Sequence, residues 1–173
     1  MIIHLNEISK DGESFSFSSR DQKMASALTD LLGNQKFNAN VYIQPLGDAF
    51  DIVGKIETKL PLTCSFCAEE FLMDITANLR EVAIVKTKAK ISFSGHHLED
   101  ADYRELTSFD YDAAEFLHEL VALNQPIQPR CSDKCKGLCP SCGINRNNET
   151  CCCTEQKNDK PSAFSVLKNL KLN

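Results

Sequence analysis

Apolar positions recur along this chain with two periods, and the change of period marks the elements. Residues 2–8 (IIHLNEI) alternate loosely and predict a strand, and SFSFS at 14–18 predicts a second. From about 20 to 32 the period lengthens: Met24, Leu28, Leu31 and Leu32 share one face of a helix that Gly33 is placed to end. Alternation returns in 39–46 and 49–63, with Gly47-Asp48 as the turn between them, and again from about 69 to 87. The last two strands flank Cys64-Ser-Phe-Cys67, so the pattern predicts an antiparallel hairpin with a CxxC at its tip. A short strand is predicted at 91–95.

The stretch 99–120 holds eight acids and one base, which reads first as a solvated face. A helix overlaps it. Asp112 can cap this helix, and Glu115 stands at capping-box spacing. Phe116, Leu117, Leu120, Val121 and Leu123 make its apolar stripe, and Pro126 stops it. After a polar linker, Phe164, Val166, Leu167 and Leu170 predict a short C-terminal helix that docks. The expected fold is α+β: a mostly antiparallel sheet with two main helices and a small C-terminal zinc-knuckle segment. The expected units are an α+β body over 1–129, a cysteine-rich metal-binding segment over 130–156, and a tail over 157–173.

Composition changes this picture in two places. With 42% hydrophobic and 25% charged residues the chain can bury a core without disulfide staples. No apolar run approaches the roughly 20 residues of a membrane span. The N-terminus lacks the basic and apolar pattern of a secretory signal, so the expectation is a cytoplasmic protein with reduced thiols. Charge is uneven. Residues 1–129 carry 11 Lys/Arg against 20 Asp/Glu, whereas residues 130–173 carry 8 against 4. An acidic body with a basic end suggests that the end meets something anionic; a basic tail that merely aids solubility explains the charge equally well.

Seven of the nine cysteines fall between Cys131 and Cys153. Their spacing is Cys131-x3-Cys135-x3-Cys139-x2-Cys142-x8-Cys151-Cys152-Cys153. Two thiolates separated by two residues in a tight turn can face one ion, and Gly143 accepts the left-handed backbone that closes such a turn. Leu138 and Ile144 are the only large aliphatics of the stretch, too few for a core, so an ion would supply what the segment folds around. The candidate ligands are Cys131, Cys135, Cys139, Cys142, Cys151 and Cys153, and zinc suits them better than an iron–sulfur cluster. Cys139 and Cys142 form the firm pair. Their partners are either Cys131 with Cys135 or Cys151 with Cys153; the latter two share a face if extended, with Cys152 a bystander.

Cys64 and Cys67 read as a structural CxxC, with packing at the hairpin tip ahead of a share in the metal site. A redox pair should open a helix in a βαβ unit, which the flanking strands do not supply. His118 reads as a surface or core residue, and His96-His97 as a polar loop. No catalytic triad, phosphate-binding glycine loop or HExxH motif is present, so the expectation is a protein that is not an enzyme and takes no small-molecule substrate.

Together these features resemble the YceD family, named for accumulation of large-subunit ribosomal RNA. The resemblance rests on CSFCAEEF, EFLHELVALNQPIQPRC, CKGLCPSCGINRN at 135–147 with its trailing CxC, and a terminal PxxFxxLxxL, covering roughly residues 50–170. It carries over Cys64 and Cys67, the six later cysteines, Asn145 and Asn147. Arg146 stands where the family usually has leucine, and Cys152 is an extra thiol. Some members lack the late cysteines, which implies that metal supports local structure and not the shared function. The resemblance implies a factor for accumulation or processing of 23S ribosomal RNA, partnered by its precursor or by large-subunit assembly intermediates. Lys134, Lys136, Arg146, Lys168 and Lys171 are candidate phosphate contacts, as are Lys157 and Lys160. Arg80, Lys86, Lys88 and Lys90 form a second basic stretch. The acidic helix would suit a basic ribosomal protein. The reading from another class is a thiol-based redox or metal-delivery protein, which would need a reactive, accessible Cys64–Cys67 pair.

Overall fold

A computed structural model of the chain describes residues 1–86 and 103–153. The strand expected at 91–95, Lys88 and Lys90, His96-His97, and the C-terminal helix with Lys157, Lys160, Lys168 and Lys171 lie outside the described residues.

A five-stranded sheet runs in the order β2-β3-β4-β5-β6 (Glu13–Ser18, Phe37–Leu46, Ala49–Thr63, Glu70–Val85 and Tyr103–Leu106). The first four strands pair antiparallel, and β6 joins β5 in parallel. A separate two-stranded ladder pairs β1 (Ile2–His4) with β7 (Asp110–Asp112). Among the described residues there are three α-helices: α1 (Gln22–Ala27), α2 (Thr29–Leu32) and α3 (Ala113–Leu123).

The alternation read from the sequence becomes a two-sided sheet. Ala39, Val41, Ile43, Ile52, Ile56 and Leu60 are buried on one face. Asn38, Asn40, Lys55, Glu57, Thr76 and Asn78 point to water on the other. The buried face packs against Met24, Leu28 and Leu32 of the first helical region and Phe116, Leu117, Leu120 and Val121 of α3. Leu123 belongs to the stripe by spacing but is 72% exposed, beyond the sheet's reach. The single helix expected at 20–32 is two short ones, broken at Leu28, whose ψ of 2° departs from the helical value. Gly33 ends the second with φ 57°. The strand expected at 2–8 turns after His4 into one 3-10 turn, Leu5–Glu7, which buries Leu5.

Part of the acidic stretch is strand, and its carboxylates Glu105, Asp110 and Glu115 are exposed, as a solvated face requires. β6 brings Arg104 against Glu81 of β5 and Glu119 of α3, while the Tyr111 hydroxyl donates to Glu81 at 2.7 Å. Burial, and then the Glu81 carboxylate, raise the Tyr111 phenol well above its ordinary pKa. The other basic residues of this region are also paired: Arg80 makes a two-pronged contact with Asp51, and Lys86 meets Glu105. His118 bonds Asp30 at 2.8 Å, linking α3 to α2.

Asp112 caps α3, its carboxylate accepting the Ala114 amide at 2.9 Å. Asp112→Ala should cost about 1 kcal/mol, read as a lower urea midpoint with an unchanged m-value; an unchanged midpoint would show that the cap contributes nothing.

Candidate metal centres

β4 and β5 form a hairpin with register pairs from Ala49↔Ile84 to Thr63↔Glu70, and its length carries the Cys64–Glu69 turn to one end of the molecule. Two backbone bonds shape that turn. The Ala68 amide donates to the Cys64 carbonyl at 2.9 Å, and the Cys64 amide to the Glu69 carbonyl at 2.8 Å. The same two bonds recur at Cys139-Pro-Ser-Cys142-Gly143: Gly143 donates to Cys139 at 2.9 Å, and Cys139 to the Ile144 carbonyl at 2.8 Å. The residue after the second cysteine has positive φ in both, 59° at Ala68 and 75° at Gly143. The chain therefore contains two copies of one cysteine turn. The first carries alanine where the conformation favours glycine, at a cost of roughly 1–2 kcal/mol.

The cysteine-rich segment folds back onto the hairpin tip. The Ser65 amide donates to the Pro129 carbonyl, and the Leu138 amide to the Phe66 carbonyl, each at 2.8 Å. Gly137, at φ 70°, passes so close that a Cβ there would lie 3.0 Å from the Phe66 carbonyl oxygen. The Asn148 side chain bonds Glu69. Leu138 and Asn145 form an isolated bridge that closes the loop around the second turn.

Eight thiols converge in two groups of four: Cys64, Cys67, Cys131 and Cys135, and Cys139, Cys142, Cys151 and Cys153. Within each group all sulfurs lie within 4.8 Å of one another. The Cys64–Cys135 and Cys67–Cys131 sulfurs are 3.8 and 3.6 Å apart. Four thiolates around a tetrahedral zinc ion stand about 3.8 Å apart, from a bond length of about 2.3 Å. Donor type, number and separation thus fit one divalent ion per group, whose chemistry there would be structural cross-linking. Cys152 is exposed and outside both groups. The pair that sequence reasoning placed apart, Cys64 with Cys67, joins Cys131 with Cys135, and Cys139 with Cys142 joins Cys151 with Cys153.

Both groups are prepared for negative charge. Burial pushes the Cys64 thiol up, but the amides of Cys131, Phe66 and Cys67 outweigh it and draw its pKa down to about 6. Cys139 reaches about 6 through the amides of Ser141 and Cys142. Cys67 and Cys131 in the first group, and Cys151 and Cys153 in the second, move the other way without an ion. Cys131 is pushed up to about 12 by burial and its thiol neighbours, and Cys153 to about 12 chiefly by Cys142. Ion binding would displace protons from these thiols.

Asn147 connects the two groups. It lies between Cys142 and Cys151 in sequence, yet its Nδ2 donates to Cys135 Sγ of the other group at 3.4 Å and its Oδ1 accepts the Lys136 amide at 2.7 Å. That contact draws the Cys135 thiol down. Asn145 Oδ1 in turn accepts from Asn147. Outer hydrogen bonds of this kind typically hold about 10–100-fold in metal affinity. Asn147→Ala should therefore lose cobalt to a competing chelator from the Cys64 group first, with equal retention as the contrary result.

Of the candidate phosphate contacts, Lys134, Lys136 and Arg146 are exposed around these groups. Lys136 and Arg146 line a shallow recess with Asn147, Asn148, Glu149 and Thr150. Sequence reasoning passed over Phe66 and Arg130, whose guanidinium lies 3.8 Å above the Phe66 ring. No helix among the described residues is long and apolar enough to cross a membrane.

Comparison with known proteins agrees with the cysteine pattern. The family described as "Large ribosomal RNA subunit accumulation protein YceD" matches residues 52–171, from the long hairpin through the cysteine groups. A chloroplastic protein of Arabidopsis thaliana, "Large ribosomal RNA subunit accumulation protein YCED homolog 1", is 34% identical over 62 residues. That alignment covers 36% of this chain and 19% of the plant protein. No solved structure matches. With more than half of its length matched, the chain belongs to the YceD family.

Proposed function

We propose that this protein is a non-catalytic ribosome-biogenesis factor of the cytoplasm. It supports accumulation or processing of the 23S ribosomal RNA by binding its precursor or assembling large-subunit particles. The family match carries the process. The observation that carries the manner of action is the joining of hairpin tip and C-terminal segment through two four-cysteine groups. Zinc is the ion proposed for both, and it builds a rigid platform and does no chemistry. The acidic body suits a basic ribosomal protein as a second partner. Burial of Cys64 and Cys67, 2% and 3% exposed, speaks against a thiol catalyst there, which needs access to its substrate.

Crosslinking in living cells, followed by sequencing of the attached RNA, tests this reading. Enrichment of precursor 23S sequence is expected. Recovery of messenger RNA alone, or of no RNA, would overturn it.

A further inference from the structure

Phe66 stands between the two cysteines of the hairpin turn and is 37% exposed, a poor position for an aromatic ring whose only role is packing. Arg130, next to Cys131 of the same group, is exposed and stacked on that ring. The bonds from Ser65 to Pro129 and from Leu138 to Phe66 fix both ends of the arrangement. Gly137 is pressed against the Phe66 backbone, and the exposed Lys134 and Lys136 flank Cys135 in sequence, Lys136 directly before that glycine. The result is an exposed ring with a guanidinium over it, held at the first cysteine group, with Lys134 and Lys136 close by in the chain.

We propose that this surface is where a single-stranded RNA segment docks, with an unpaired base stacking on the Phe66–Arg130 pair and Lys134 and Lys136 meeting its phosphates. The proposal rests on the RNA-binding reading above and gives it an address. Aromatic rings and guanidinium planes are the surfaces on which unpaired bases stack. Charge favours stacking over phosphate neutralisation as the main contribution. An ion held by four thiolates carries a formal charge of about −2, which nearby lysines and arginines partly offset, and the remaining body is acidic. A long basic track is absent among the described residues, so the footprint is short and its salt dependence shallow. A duplex keeps its bases stacked internally and offers this surface nothing to hold.

The test uses the full-length, metal-loaded protein and a fluorescein-labelled single-stranded RNA of about 10 nucleotides, beside the same sequence as a duplex. Phe66→Ala should weaken binding of the single strand by roughly 5- to 100-fold. Arg130→Lys keeps the charge but loses the plane, and should weaken binding while leaving the salt slope unchanged. The duplex should bind poorly to all forms. Metal content and the cobalt spectrum of each variant report whether the cysteine groups survive; Phe66→Leu, which keeps the packing volume but not the ring, serves where Phe66→Ala does not. Variants that keep their metal and bind as wild type would overturn the docking assignment and leave the proposed function standing. So would variants that lose capture of a ribosomal protein but not of RNA. If the wild-type protein itself retains no ribosomal RNA in cells, the proposed function fails and this assignment fails with it.

Discussion

Replacing Cys67 by serine should reduce the metal carried by the purified protein from two ions per chain to one, while the sheet stays folded. The expectation follows from two separate groups of four thiols, in which each cysteine serves one group. Cys142→Ser should likewise leave one ion, the double variant none, and Cys152→Ser two. Structural zinc contributes apparent binding energies of about 10–16 kcal/mol in small folds. Loss of one ligand therefore removes more local stability than any single contact in the cysteine-rich segment supplies. The sheet has its own core, from Val41, Ile43, Ile52 and Ile56 to Phe116 and Leu120, and does not depend on the ion. Far-ultraviolet circular dichroism should change little, while protease sites between 130 and 153 open. Elemental analysis decides the matter: two ions retained by Cys67→Ser, or none in the wild type, would refute the division into two centres.

Gly54→Val should be among the most damaging single substitutions in the body. Gly54 lies in β4 opposite Leu79 and Val41, beneath α3. A Cβ there would sit 2.3 Å from Phe116 Cε1 and 2.8 Å from Cζ. Phe116 cannot yield easily, because it is fully buried and packs against the Tyr111 ring with centroids 5.9 Å apart. Valine normally favours strands, so propensity alone would forecast a gain. Overpacking should prevail, at about 2–3 kcal/mol, and lower Tm by roughly 4–12 °C. Phe116→Leu in the same chain should recover part of the loss, giving a coupling energy between the two sites. A Tm unchanged by Gly54→Val, or two substitutions that simply add, would show that the sheet–helix contact is looser than described.

The long strands were legible because one buried face imposes strict alternation. β3 and β4 begin and end within two residues of where the pattern put them, and the hairpin was expected with its CxxC at the tip. α3 was legible from its cap and its stripe. What the sequence could not show is proximity across distance. Cys67 and Cys131 are 64 positions apart, and nothing in either motif names the other. Sequence reasoning therefore offered Cys131 with Cys135 as one of two partners for Cys139 and Cys142, when the fold supplies each turn with its own second pair. β6 was hidden for a different reason: Tyr-Arg-Glu-Leu has no apolar alternation to display, and it is held by ion pairs of Arg104 and by parallel pairing with β5. Stacking of Arg130 on Phe66 was illegible for the same reason as the cysteine grouping.

The same separation sets an order of events while the chain is being synthesised. The hairpin can form its turn, with Cys64 and Cys67 in place, well before Cys131 has been added 64 positions later. At about 5–20 residues per second, that half-built site waits roughly 3–13 s for its partners. The second turn has its full complement only 11 positions after Cys142, at Cys153. A newborn chain thus completes its distant clasp at Cys135 and its local one at Cys153, 18 positions apart, and until Cys131 and Cys135 arrive the tip is a pair of bare thiols open to stray metal or oxidant.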